Sequence, residues 1–496
     1  MFLYTDFWSS ANPSGTWCCN VDVKLSGTKS KAGERALKWA LGLVLACAIV
    51  APGVFWTPYL RILSTVLFVG LALIAGRAIL AGLLTFKRPS APPAKPVGVE
   101  WPTVSVLVVA YNEAAVLPRT MESMLHVDYP HDRIEFVYVY EKRSTDGTGQ
   151  VVRSYAERDA RFTPIERDSP RGGKAAATNY GLDHCTGEFL LSLDADHSVE
   201  PHIVKRAVQR LMADPKIGCV KGRAMGMNAK ESFLANLTKV ERDAIEKGDI
   251  YVRQVVGGFT FFGGGQAFFR RSVFESVGRF DEEILVEDID FSTKLHEAGW
   301  DVVVDPDLRT HEENPAHLKD WWAQRKRWGR GWMQVARRYM PRVLSMPNLT
   351  GMQRADLAFT LLYVLMPVLF VAGFPLKLVG ALGYDTRTYI PWDGVEAAGW
   401  TLFGLTPFIG WLCMWLQDRR DGVKHGLVEL PAFLLLQTYL VFQTLVFWDA
   451  FLEEYILRKP SVYVKTTKSG SKVPASHVAM ADVLAEAVVL TPTSEK

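Results

Sequence analysis

Cysteine is scarce, with six residues in 496, at positions 18, 19, 47, 185, 219 and 413. Their spacing fits neither a thiolate metal site nor a disulfide framework, and the adjacent Cys18-Cys19 pair reads as incidental. Nothing here demands an oxidising compartment. An excess of one charge is also missing: 56 Lys and Arg face 53 Asp and Glu, a formal net charge of +3. That excludes a nucleic acid polymer held by bulk charge as a partner. Residues 1–35 form a polar and aromatic N-terminal segment. It lacks the short apolar core and small-residue cleavage site of a signal peptide. No internal repeat stands out.

What the sequence has is apolar residues, 49% of the chain, gathered in blocks. Runs 38–58 and 62–84 are each near the roughly 20 residues that cross hydrocarbon. They predict a transmembrane hairpin over 36–85, with Arg61 in its link and Arg77 late in its second arm. Residues 86–101 are rich in proline and lysine and read as a linker.

The pattern over 102–316 is that of a soluble α/β domain. Strands are expected at 103–110, 134–140, 162–166 and 188–195, with helices over 112–125 and 173–184. Alternation of this kind indicates a mostly parallel sheet, whose ligands bind beyond the carboxyl ends of the strands. Residues 317–355 are basic and aromatic. Eight Lys/Arg and four tryptophans (Trp321, Trp322, Trp328, Trp332) between Lys319 and Arg342 suit a helix lying in the headgroup layer. Region 356–453 holds three more apolar runs, at 356–374, 398–416 and 428–449, and 454–496 is a tail. The basic link 417–425 is expected to face the cytoplasm. Five crossings would put the tail opposite the α/β domain, so either one C-terminal run is re-entrant or a crossing is missed. Pro367, Pro375 and Pro431 make broken helices reasonable.

Five segments carry candidate chemistry. In LSLDADHS (190–197), Asp194 and Asp196 point the same way where a strand ends. They can offer oxygen ligands to a hard divalent cation, Mg²⁺ or Mn²⁺, that also bridges a diphosphate. SPRGGKAAATNYG (169–181) is a glycine-rich turn entering a helix. There Lys174 either adds charge to an anion cradle or is a solvated loop lysine. Glu287, Asp288 and Asp290 open another helix, either as first-turn dipole partners or with one of them as a general base. FFGGGQAFF (261–269), with Gly264 at its centre, suits a backbone that approaches a ligand closely. In Gln324-Arg325-Lys326-Arg327-Trp328, the arginine and indole either face lipid headgroups or close a site on a diphosphate and a sugar ring.

In this order the pieces resemble the membrane-bound family 2 glycosyltransferases, which include cellulose, chitin and hyaluronan synthases. The matching marks are Ala110-Tyr111-Asn112-Glu113, Ser144-Thr145-Asp146, Gly173-Lys174 with Asn179, Asp194-Ala195-Asp196, Glu287-Asp288, and Q-x-x-R-W at Gln324, Arg327 and Trp328. The resemblance covers roughly residues 100–335. It implies a GT-A (nucleotide-diphospho-sugar transferase) α/β domain inserted between transmembrane helices. It also implies an inverting, metal-dependent hexosyltransferase, with its catalytic domain on the cytoplasmic side of the cell membrane. By this likeness Asp196 holds the metal, Asp194 contacts nucleotide or sugar, and Asp288, next to Glu287, is the base. Glu113, Asp146, Lys174 and Gly264 line the donor side, while Gln324, Arg327 and Trp328 line the acceptor and pyrophosphate side.

One position departs from the family. Where an aspartate pair usually meets the nucleobase, this chain has Glu141-Lys142; Glu141 can still accept a hydrogen bond from uracil N–H. YVKTTKSG (463–470) is similar to the gating loop of cellulose-type synthases, with Lys465 and Lys468 as phosphate contacts. The expected partners are a nucleotide sugar, in its UDP form by family likeness, membrane lipid, and a growing polysaccharide as acceptor. A membrane lipid receiving one sugar is the alternative acceptor, and a degenerate, non-enzymatic scaffold or transporter is the third reading.

Overall fold

The structure is a computed structural model that describes residues 31–169, 172–391, 393–461, 463, 465, 466, 468 and 470. The expectations for residues 1–30, including Cys18 and Cys19, and for 471–496 lie outside these. Residues to Leu45 and residues from Ala46 form two separate units. Among the described residues the first holds only the start of the helix Lys31–Val50.

The second unit is built on one eight-stranded sheet. Its strands are β1 (Val104–Ala110), β2 (Ile134–Glu141), β3 (Phe162–Arg167), β4 (Phe189–Asp194), β5 (Ser198–Val199), β6 (Ile217–Gly226), β7 (Gln266–Arg270) and β8 (Asp301–Glu312), in the order β3-β2-β1-β4-β7-β6-β8-β5. Strands β1 to β4 are parallel, as the alternation implies. In β1, Val104, Val106, Val108 and Ala110 fill one core while Leu107 and Val109 pack into the other. Burial on both faces explains its unbroken apolar run.

The sheet is mostly parallel as expected, with two reversed strands in its far half. Strand β7 runs antiparallel between β4 and β6, and β5 runs antiparallel to β8. Because β7 is reversed, the glycines that precede it lie beside the carboxyl end of β4. The helix expected from Asn112 begins at Leu117 instead, with Pro118 in its first turn. Asn112 itself adopts φ 54°, in the left-handed region, so Tyr111–Glu113 form a loop.

The helices outside the sheet correct the membrane plan. Among the described residues three are long and apolar enough to cross a bilayer: Ala32–Phe55, Thr57–Leu84 and Gly394–Arg420. The run expected to cross at 356–374 is broken into Gly351–Tyr363 and Met366–Ala381, with Pro367 at the start of the second helix. The last run is also bent, by 58° between Leu427–Leu434 and Leu436–Ile456. Both its ends are tied to the α/β side. Asn236 donates to the Val428 carbonyl, and Arg330 pairs with Glu454 at 3.1 Å.

The basic helix Leu318–Tyr339 is not simply laid in headgroups. Trp321 is fully buried against Tyr439 and Phe442 of the helix Leu436–Phe451, and its Nε1 donates to the Tyr439 hydroxyl at 2.8 Å. An indole with its polar tip satisfied packs well in such an interface. Other buried polar pairs tie sheet to helices. Arg223 of β6 makes two 2.7 Å bonds to Asp418, which also accepts from Lys247 at 2.6 Å and from His425 at 2.9 Å. Glu241 accepts from Arg325 at 2.5 Å, Tyr439 at 2.7 Å and Gln443 at 2.9 Å.

Asp418→Asn leaves the buried Arg223 guanidinium without its counter-charge, and we expect a loss of about 3–5 kcal/mol of stability. Thermal unfolding in detergent measures it. Asp168→Asn, which breaks the exposed Lys142–Asp168 pair, should leave the melting temperature unchanged.

Candidate active site

Strand β4 ends on Asp194, whose backbone N–H donates to the Gly265 carbonyl at 3.0 Å. A Cβ on Gly265 would stand 2.1–2.5 Å from the Asp194 carboxylate, so only glycine leaves room for it. Lys174, at the start of the helix Lys174–Leu182, places Nζ 2.6 Å from Asp194 Oδ1. The loop after β4 buries Asp196, whose Oδ2 accepts from Lys468 Nζ at 2.6 Å and from the Glu313 N–H at 3.3 Å. His197 follows, with one ring nitrogen 3.0 Å from Thr310 Oγ1 and the other 2.8 Å from Glu312 Oε2.

Oxygen and nitrogen ligand atoms of Asp194, Asp196 and His197 lie within 4.8 Å of one another. Burial opposes ionisation of both aspartates, but Lys174 beside Asp194 and Lys468 beside Asp196 hold them below the usual carboxylate range. An ammonium already stands where a cation's charge is wanted, and hard oxygen donors suit Mg²⁺ or Mn²⁺. Asp194 and Asp196 therefore fit a divalent ion. Both nitrogens of His197 are engaged, so it serves to position its neighbours. Glu312 is also held below its ordinary range. Burial opposes this, but Arg242 at 2.9 Å and the His197 hydrogen bond outweigh it.

The helix Glu287–Glu297 brings the second group of acids. Lys174 reaches Glu287 at 3.5 Å, so one ammonium spans both groups. Among the described residues Asp288 accepts only the N–H of Ile289, at 2.9 Å. Burial, reinforced by the charge of Glu287, pushes its carboxyl up to about 7. Asp290 is committed elsewhere, accepting from Tyr339 and Arg338 at 2.8 Å and pairing with Lys294 at 2.7 Å. Glu113 is likewise pushed up to about 7 by burial and by Asp196, against the pull of Lys465 at 3.2 Å.

The segment 463–470 crosses this rim. Lys465 and Lys468 sit on Glu113 and Asp196, and the Gly470 N–H donates to Glu313 Oε2 at 3.2 Å. Tyr463 lies 4.7 Å beneath the Arg327 guanidinium. Arg327 also donates to the Leu285 carbonyl at 3.3 Å, and its buried Nε has no hydrogen-bond partner. Trp328, on the same helix, is stacked by Arg325 at 4.2 Å and approached by Arg242 at 5.9 Å. Gln324 accepts from Arg325 at 3.4 Å.

On the nucleotide side, Glu141 is buried against Arg167, with Arg143 at 3.5 Å, and its Oε2 lacks a hydrogen bond. Lys142 points outward to Asp168. Asp146 braces the loop, accepting from Ala114 N–H at 2.9 Å and from the Thr148 hydroxyl at 2.5 Å. Gly264 has φ +97° and open space where a Cβ would stand.

The model of the family described as glycosyltransferase like family 2 matches residues 102–331. Those residues form a glycosyltransferase family 2 domain. Its mixed sheet between apolar helices is the GT-A architecture that the resemblance implies. A probable glycosyltransferase, YdaM, of Bacillus subtilis is 30% identical over 243 residues, 49% of this chain and 58% of that protein. A beta-monoglucosyldiacylglycerol synthase of Trichormus variabilis is 28% identical over 381 residues, 75% of this chain and 77% of its own. A poly-beta-1,6-N-acetyl-D-glucosamine synthase of Staphylococcus epidermidis is 27% identical over 233 residues, 47% of this chain and 55% of its own. The chain thus spans little more than half the length of two of these relatives.

The family 2 domain brings Asp194, Asp196, Lys174, Glu287, Asp288 and Glu113 to one rim, while Asp146 and Asp290 serve as braces. Reasoning from sequence passed over His197, Glu312, Arg242 and the Arg325–Glu241 pair. His197 directly follows the D-x-D and offered a signal. The others are far apart in sequence and offered none.

Replacing Gly265 by alanine should displace the Asp194 carboxylate. We expect divalent-cation affinity to drop roughly 10–100-fold, as for loss of a supporting contact at a metal site, with the melting temperature little changed. Mn²⁺ titration followed by electron paramagnetic resonance reads this directly.

Proposed function

We propose that the protein transfers a hexosyl unit from a nucleotide-diphospho-sugar, in the UDP form, to a hydroxyl of a membrane lipid, with inversion at the anomeric carbon. The observation that carries a transferase reading is Lys174, whose ammonium lies within 3.5 Å of both Asp194 and Glu287. It draws a cation-binding pole and a base pole to opposite sides of one space. When bound to Asp194 and Asp196, Mg²⁺ or Mn²⁺ would supply charge to offset the leaving diphosphate.

The chain's own groups then divide the work. Asp288 takes the proton of the acceptor hydroxyl as that oxygen attacks opposite the departing diphosphate. Lys174 and Arg327 add positive charge on the leaving side. Glu141 Oε2, buried beside Arg143 and with no hydrogen bond among the described residues, accepts from the nucleobase N–H. Gln324 and Trp328 border the acceptor, with the indole fixed from behind by Arg325. Lys468 and Lys465 must leave Asp196 and Glu113 before a cation and donor settle, and their ammonium groups then face the diphosphate.

A lipid acceptor is favoured by the 381-residue match to the diacylglycerol glucosyltransferase, which extends well beyond the family 2 domain. Polymer synthesis is the second reading, supported by Q-x-x-R-W and by the shorter match to the polysaccharide synthase. We also infer a membrane path from the ties between elements. Arg61 at one end of Thr57–Leu84 pairs with the 385–388 loop, while Arg77 near the other end pairs with Asp249 and Asp356 on the domain side. Met366–Ala381 then leads away from the domain and Asp393–Arg420 returns to it at Asp418. The bent pair 427–456 is re-entrant, so the segment 463–470 ends on the side of the site. With the basic link 417–425 held there, that side is the cytoplasm.

Two measurements test the reading. Purified protein with labelled UDP-hexoses, Mn²⁺ and mixed diacylglycerol micelles should give one glycolipid band. A polymer ladder favours the second reading, and no donor turnover across a nucleotide-sugar panel overturns both. Asp196→Asn should abolish the product at saturating Mn²⁺, since a neutral amide is a poor ligand for a hard cation.

Asp288→Asn should bind donor normally and lower transfer by roughly 10²–10⁴-fold. A base raised to about 7 works only when deprotonated, so wild-type kcat/KM should fall as pH drops through 7. The residual activity of the Asn variant should lack that limb; an unchanged limb would move the role to Glu287 or Glu113.

A further inference from the structure

A cavity of about 330 Å³ lies between the helix Leu318–Tyr339 and residues 453–460, lined by Lys319, Trp322, Lys326, Arg330, Glu453 and Lys459 among others. It touches the site described above only through Arg327. Five cations line it, counting Arg327, against the single acid Glu453. Two more acids stand behind the wall: Asp449, 3.7 Å from Lys326, and Glu454, 3.1 Å from Arg330. Among the described residues these three carboxylates face five cations. Lys326 and Lys459 share Glu453, at 3.0 and 3.7 Å. Lys319 is exposed and makes no ion pair or hydrogen bond among the described residues.

The cavity sits where an apolar helix ends. Asp449 and Glu453 close the helix that begins at Leu436, and Trp322 packs edge-on against its Phe442 while donating Nε1 to Asp449 at 2.8 Å. An indole with one apolar and one polar side, next to the exposed Lys319 at the end of an apolar helix, suits the headgroup level. Leu285, Ala323 and Pro460 add an apolar wall that a free inorganic anion would not use.

We propose that this cavity binds the phosphodiester headgroup of an anionic membrane phospholipid, with Lys319, Lys326 and Lys459 around the phosphate and the acyl chains running along Trp322. The proposal does not depend on which acceptor the enzyme glycosylates, because it concerns a bound lipid and not a reacting one.

The test uses the full chain in detergent with radiolabelled phosphatidylglycerol or phosphatidylcholine, read as lipid retained after gel filtration. Wild type should retain phosphatidylglycerol well above phosphatidylcholine. The double variant Lys319→Gln/Lys459→Gln should lose that preference by roughly fivefold per lysine, with its melting temperature showing that it is folded. Lys319→Gln alone, at an exposed position, should lose part of it. Equal retention of the two lipids by wild type, or an unchanged preference in the variants, overturns the proposal. Displacement of phosphatidylglycerol by millimolar inorganic phosphate alone would make this a free-phosphate site and overturn the lipid assignment. Glycosyl transfer is measured in parallel, so failure of this site and failure of the transferase reading are distinguishable.

Discussion

Like charges gather only when something opposes them, and the architecture of the candidate site follows from that constraint. Glu113, Asp194, Asp196, Glu287, Asp288 and Glu312 converge on one rim. Lys174 between Asp194 and Glu287, Lys468 on Asp196, Lys465 on Glu113 and Arg242 on Glu312 keep the cluster tolerable. Burial first, and then the charge of Glu287, pushes the Asp288 carboxyl up to about 7, and Glu113 is raised as far despite Lys465. A carboxyl held there is what a base working near neutrality needs.

This balance is reached with ammonium groups from very distant parts of the chain. Lys174 belongs to a helix rooted in the sheet and is fixed. Lys468 belongs to a segment that follows the last apolar helix, so its presence on Asp196 couples the path of the chain after that helix to the state of the candidate cation site. A competing divalent ion has to outbid one lysine and not a wall of protein.

The sheet and the apolar helices are joined by the same principle applied to buried pairs. Arg223–Asp418 and Arg325–Glu241 are each almost fully enclosed, and each has further donors that satisfy the remaining carboxylate lone pairs. Such pairs contribute little net stability when intact but cost much when one partner is lost. They therefore fix how helices and sheet meet. The Arg325 guanidinium also supports Trp328, so a membrane-side contact at Tyr439 and Gln443 reaches the proposed acceptor edge through two side chains.

The sequence by itself determined the parts governed by short-range physics. Apolar runs at 104–110 and 189–194 had to be strands buried on both faces, and the D-x-D at the end of one of them had to expose two carboxylates on one side. The apolar stretches at 62–84 and 398–416 were legible from length and composition alone. Sequence could not show that β7 is reversed, because strand direction depends on which neighbour the chain meets. Nor could it show that the run at 356–374 breaks or that the 428–449 run bends back to the domain. Those outcomes rest on ties such as Arg330–Glu454 and Asn236–Val428, between residues about 120 and 190 positions apart. His197, Glu312 and Arg242 joined the site for the same reason: charge acts through space, and only the tertiary structure decides which charges are near.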